Sequence, residues 1–166
     1  MASPLLLTKL HQPPLRDARV GRERLHHRLE AHVQSSSSVS LVVAPAGFGK
    51  TSLVSGWLER STVQRCWLSL DESDNDVWRF WRYLLAAIAR VQPDATASAQ
   101  DLLNQPQKPA LETLLTVLIN DLSQAGDTST AQTTSNLVLV VDDYHLIDDA
   151  NIHASVSFFV EHLPAG

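Results

Sequence analysis

The sequence has a single cysteine, Cys66, so no internal disulfide can form. That usage fits a reducing compartment. No apolar run approaches the ~20 residues needed to cross a bilayer. The opening residues lack the basic stretch and long apolar run of a signal peptide. The expectation is a soluble cytoplasmic protein without membrane contact. Basic residues are in the minority, 13 Lys and Arg against 18 Asp and Glu, which leaves a formal charge of −5. An acidic surface repels a phosphate backbone, so direct contact with DNA or RNA is not expected of this segment. The one basic group, Arg16, Arg19, Arg22, Arg24 and Arg28, reads as a solvated helix face. The seven histidines are scattered, with no His-Glu-x-x-His pairing for zinc. There is no Gly-x-Ser-x-Gly elbow for a hydrolase serine. The string Asp71-Glu72-Ser73-Asp74-Asn75-Asp76 faintly resembles a calcium loop. Asp76 stands where that turn needs glycine, and Arg82 where a bidentate Glu belongs.

What remains is a chain of 166 residues with 44% hydrophobic content, enough for one domain with a sizeable core. Residues 1–18 are proline-rich and aperiodic, and read as an extended lead-in. Leu25, Leu29 and Val33 predict a short amphipathic helix over 22–33, followed by a polar serine linker at 35–38. Apolar runs rich in β-branched residues predict buried strands at 39–44, 66–70 and 137–141. Helical periodicity predicts helices at 50–60, 76–91, 111–122 and 149–163. The aromatics Trp78, Phe80, Trp81 and Tyr83 could form a stacking platform for bases, but helical spacing makes them core. The polar stretch 126–136 reads as a surface loop. Strands alternating with helices imply a parallel sheet in a three-layer α/β architecture.

The strongest chemical signal is Ala44-Pro45-Ala46-Gly47-Phe48-Gly49-Lys50-Thr51. It has the spacing of a phosphate-binding loop, with Ala in place of the first Gly, between a predicted strand and a predicted helix. Gly47 and Gly49 let the backbone turn tightly and approach phosphates. Amides of Ala46, Gly47, Phe48, Gly49, Lys50, Thr51 and Ser52 can gather round an anion at a helix N-terminus. Lys50 is then the residue that reaches the β- and γ-phosphates, and the Thr51 hydroxyl a magnesium ligand.

The second signal is the apolar run 137–141 ending at Asp142 and Asp143. Acids at the C-terminal end of an interior strand face the crevice where ligands bind in open α/β sheets. Asp142 is the natural second magnesium ligand, and Asp143 a candidate base for an attacking water. A guanine-reading Asn-Lys-x-Asp string is absent, which favours adenine. The expected ligands are ATP and Mg²⁺.

These strings resemble the N-terminal ATPase domain of MalT-like, large ATP-binding LuxR-type transcriptional regulators, a branch of the STAND class of P-loop NTPases. The carriers are Thr8-Lys9-Leu10 with Pro13-Pro14, Val20-Gly21-Arg22-Glu23-Arg24-Leu25 and the phosphate loop itself. The string beginning at Trp67 and running through Asp76, with Arg79-Phe80, and Asp142-Asp143-Tyr144-His145 complete the set. The resemblance implies that Val20 and Arg22 lie against the adenine. It implies ATP as a signalling switch with slow hydrolysis, ATP-dependent self-association, and a DNA-binding module in a full-length relative. The family also places a further strand, carrying a γ-phosphate sensor, between the phosphate-loop strand and the Asp-Asp strand. The sequence ends at Gly166 before it. The expectation is therefore a lead-in and helix at 1–38, then a partial P-loop NTPase domain at 39–166 truncated before the sensor strand. Its sheet would have three strands with a gap in the middle. A non-catalytic nucleotide- or partner-binding remnant and a small P-loop phosphotransferase remain as alternatives.

Overall fold

The computed structural model describes residues 4–15, 21–34, 39–127 and 136–163. Its helices are α1 (Glu23–Gln34), α2 (Lys50–Leu58), α3 (Val77–Ala89), α4 (Ala97–Asn104), α5 (Leu111–Asp127) and α6 (Ala150–Glu161). Its strands are β1 (Gln64–Ser69) and β2 (Leu137–Asp142). They pair in parallel, with Cys66 opposite Leu139 and Ser69 opposite Asp142. Parallel neighbours need a long crossover, and α3, α4 and α5 supply it.

Side chains alternate across a strand, and the alternation here divides two cores. Cys66, Leu68 and Leu70 join Leu137, Leu139 and Val141 in the larger core, with α3, α4, α5 and α6. Trp67, Val138 and Val140 face the other way, onto Trp57 and Leu58 of α2 and Leu29 and Val33 of α1. Helices therefore cover both faces, which gives the three layers that the sequence pattern implies. Phe80, Trp81 and Tyr83 are buried in the larger core. Each contributes about 2–3 kcal/mol of transfer energy. Trp81 meets Phe80 and Phe159 edge to face, and its indole N–H donates to the Ser155 hydroxyl at 2.9 Å. These three aromatics are core, as their spacing suggests, whereas Trp78 is only half-buried at the core's edge, with the Lys108 ammonium over its ring.

Aspartates set the helix starts. The Asp76 carboxylate accepts from the Arg79 amide at the head of α3. The Asp149 carboxylate accepts from the Asn151 and Ile152 amides at the head of α6. Each satisfies donors that the first helical turn leaves unpaired.

Several expectations need correction. Residues 39–44 form no strand among the described residues, and Leu41 and Val43 are 82% and 78% exposed. The predicted run has no neighbour to complete its ladder, so apolar β-branched composition alone does not make it a strand. Among the described residues the sheet has two strands rather than three. The lead-in is not wholly extended. Leu7–Leu10 forms a 3₁₀ turn that buries Lys9 and Leu10. Helix α4 and the turn before it fall where no element was expected, and α4 stops at Asn104, two residues before Pro106. Helix α5 extends to Asp127 into the expected polar loop, whose residues 128–135 lie outside the described residues. Among the described residues, no helix is long and apolar enough to cross a membrane.

Candidate functional site

The loop at residues 44–49 ends in the first turn of α2. Gly47 and Gly49 both adopt left-handed backbone, with φ of 81° and 75°. A side chain would strain both, which accounts for glycine at these two places. The Phe48 amide donates to the Pro45 carbonyl across the bend. Gly49 is the N-cap of α2 and provides no side-chain acceptor for its leading amides. The amides of Lys50, Thr51 and Ser52 therefore begin a helix with their donors directed out of its end. That end also carries the positive pole of the helix dipole.

Lys50 folds back over the loop. Its ammonium donates to the Ala44 carbonyl at 2.8 Å and to the Pro45 carbonyl at 3.4 Å. Neutral carbonyls share its protons without cancelling its charge, so the cation remains available to an anion in the bend. Ala46 and Ser52 are exposed on the loop and the first turn, and Phe48 projects its ring outward at 60% exposure.

Thr51 and Asp142 meet across 91 positions of sequence. The Thr51 hydroxyl donates to Asp142 Oδ2 at 2.8 Å. The other carboxylate oxygen, Oδ1, accepts from the Asp143 amide at 3.1 Å. Hard oxygen donors of this kind suit magnesium. Asp143 has a left-handed backbone, φ 59°, the one non-glycine residue with positive φ among the described residues. Non-glycine residues keep such a conformation only where the surroundings hold it. Asp143 Oδ1 lies 3.8 Å from His145 Nδ1.

Arg22 reaches the same loop from the residue before α1. Its guanidinium donates to the Phe48 carbonyl at 2.8 Å and lies where a side chain on Gly49 would go. In this conformation Arg22 is engaged with the loop backbone, not held ready for a base. Val20 lies outside the described residues.

Sequence reasoning gave no role to several residues outside the loop. Asp71, Asp74 and Lys9 form one of these groups. Lys9, 8% exposed, pairs with the wholly buried Asp74 and with Asp71. Arg79 pairs with Asp74 at 3.0 Å. Burial opposes the Lys9 charge most strongly, but hydrogen bonds to Asp71 and Asp74 outweigh it, and the ammonium titrates above 10.5. Hydrogen bonds from Lys9 and then Ser73 hold Asp71 down to about 2. The supposed calcium-like string is thus a capped turn, Glu72–Asp74, that receives two cations from the protein itself. Tyr144, after the acidic pair, shares a 2.8 Å hydrogen bond with His153 Nδ1 on α6, and burial pushes its phenol above 10. Cys66 is no nucleophile, since burial pushes its thiol up to about 12.

Cavities of about 240 and 220 Å³ lie elsewhere, one beside Leu10, Arg65 and Arg90, the other beside Trp78 and Lys108. Neither touches the loop. The loop is an open cradle, and its chemistry comes from converging donors, not from enclosure. Among the described residues no cluster of His, Cys, Asp and Glu offers a separate metal centre.

Comparison with known proteins shows the family. Over 160 residues, 96% of its length, the chain is 37% identical to the HTH-type transcriptional regulator MalT of Cronobacter sakazakii (strain ATCC BAA-894). It spans 16% of that relative's length. The AAA ATPase domain family matches residues 13–166, a stretch that holds the glycine bend, α2 and the acidic end of β2 together. A three-layer fold that joins those parts at one site, matched over nearly its whole extent, places this chain in the AAA ATPase domain family.

Proposed function

We propose that the chain binds ATP with magnesium and is the nucleotide-responsive segment of a MalT-like transcriptional regulator. The observation that carries this reading is the Thr51–Asp142 hydrogen bond beside the glycine bend. A hydroxyl from the loop and a carboxylate from the neighbouring strand end converge where a triphosphate's metal would sit.

In this reading the amides from Ala46 to Ser52 cradle the phosphates. Lys50 leaves the Ala44 and Pro45 carbonyls and turns to the β- and γ-phosphates. Thr51 and Asp142 would hold magnesium, which when bound would neutralise phosphate charge. Asp143 orients and deprotonates water. Val20 and Arg22 flank the adenine, and Arg22 exchanges the Phe48 carbonyl for the nucleotide. Residues 1–38 serve as a lead-in and helix, and 39–166 as the partial P-loop NTPase unit that binds the nucleotide. Turnover by the chain itself is slow or absent. Residues 39–44, which lead into the loop, have no ladder partner among the described residues, and preorganised catalysis needs a rigid scaffold. ATP then acts as a switch for self-association in the cytoplasm, and DNA contact belongs to another part of a full-length regulator.

The test is titration of ATP with magnesium into the wild type and Lys50→Ala. The variant should bind at least tenfold more weakly, about 1.4 kcal/mol or more. Equal affinities would remove the phosphate-loop assignment.

A further inference from the structure

We infer that Asn75 is a positioning residue for Asp142 and Asp143, and that it sets how strongly magnesium supports nucleotide binding. This inference rests on the nucleotide reading above and deepens it.

Asn75 follows the turn Glu72–Asp74 and lies beyond the phosphate loop's own contacts. Its amide group is fully used. Nδ2 donates to the Leu146 carbonyl at 2.8 Å and to the Glu72 carbonyl at 3.2 Å. Oδ1 accepts from the Asp148 amide at 2.8 Å and the Asp149 amide at 3.2 Å. A carboxamide has two donor hydrogens and two acceptor lone pairs, so all four are satisfied. Three of the four partners lie in the segment that links β2 to α6.

That segment controls the acidic strand end. The Leu146 amide donates to the Asp143 carbonyl at 3.0 Å. The Leu146 residue is thus held on one side by Asn75 and on the other by Asp143. Asp143 keeps its left-handed backbone there, and its own amide donates to Asp142 Oδ1. Asp142 Oδ2 faces the Thr51 hydroxyl. One continuous set of bonds runs from Asn75 through Leu146, Asp143 and Asp142 to Thr51.

The turn that carries Asn75 is itself fixed. Asp74 is wholly buried, pairs with Lys9 and Arg79, and accepts from the Asp71 amide at 3.0 Å. Asn75 therefore braces the strand end against the body of the domain. Aspartate in its place would keep the acceptor half and lose both donors, turning a carboxylate towards the Leu146 and Glu72 carbonyls.

The experiment compares the wild type, Asn75→Asp and Asn75→Leu. ATP affinity is measured with magnesium and with EDTA, after a thermal melt of each protein. Backbone amide spectra of the nucleotide-free proteins are recorded alongside. Both variants should lose at least fivefold of the gain in affinity that magnesium gives, with metal-free ATP affinity within twofold of wild type. The Asp142 and Asp143 amide signals should move in the absence of nucleotide. A variant that keeps the full magnesium gain, or leaves both amide signals in place, overturns the inference. If Asn75→Leu does not fold, Asn75→Asp decides the matter. If the wild type binds no ATP, the nucleotide reading fails, while the amide signals still decide whether Asn75 positions the strand end.

Discussion

The Thr51 hydroxyl and the Asp142 carboxylate are hydrogen-bonded at 2.8 Å although 91 positions separate them in sequence. The loop and the strand end thus act as one unit, and their substitutions should not be additive. In ATP titrations with magnesium, Thr51→Val and Asp142→Asn should each weaken binding. The double variant should lose less than the sum, with a coupling of about 1 kcal/mol. Strict additivity would show that the two groups serve different ligand atoms.

Gly47 and Gly49 share left-handed backbone but differ in surroundings. A side chain at Gly47 meets nothing within 4 Å, whereas one at Gly49 would lie 3.3 Å from Arg22 Nη2. Each change to alanine should cost about 1–2 kcal/mol in urea unfolding, from the backbone alone. Gly49→Ala should also push Arg22 off the Phe48 carbonyl. Its cost should therefore fall in an Arg22→Ala background, while that of Gly47→Ala stays the same. Equal costs in both backgrounds would mean that Arg22 does not rest on the loop.

Lys9 is the pin that holds the N-terminal turn onto the domain. Lys9→Met removes one of the two cations paired with the buried Asp74, leaving it Arg79 and the Asp71 amide, and should cost about 3 kcal/mol in urea unfolding. The pH dependence follows from the two shifted groups. The folded Asp71 titrates at about 2, below its ordinary 3.8, so its contribution is present above 3.8 and lost as pH falls through 2. The folded Lys9 titrates above 10.5, so its contribution is present below 10.5 and lost as pH rises through the raised value. The stability gap between wild type and Lys9→Met should stay flat from about pH 5 to 9 and narrow below about pH 4. A gap that changes steeply near pH 7 would point to a different group.

Much of this site is legible in the sequence because its rules are local. The glycine bend and the helix after it act within a few residues, and a short pattern reveals them. The acidic end of β2 is readable for the same reason, since an apolar run and its polar end are contiguous. The rest depends on partners distant in the chain. Nothing near Asp74 shows that Lys9, 65 positions earlier, will neutralise it. Hence the string at 71–76 reads as a failed calcium loop, when it is a capped and doubly paired turn. Asn75 is hidden likewise, because three of its four partners lie more than 70 positions away. The stretch at 39–44 misleads in the opposite sense. Its composition suits a strand, but a strand needs a hydrogen-bonded neighbour, which composition cannot supply.

The most direct measurement is the amide correlation spectrum of the isotope-labelled chain as ATP with magnesium is added. The largest shifts are expected at Gly47, Phe48, Gly49, Lys50, Thr51 and Ser52, with Asp142 and Asp143 following. Lys50→Ala should abolish them at the same nucleotide concentration. Shifts centred elsewhere, or an unchanged loop at saturating nucleotide, would contradict the claim that this bend holds the triphosphate.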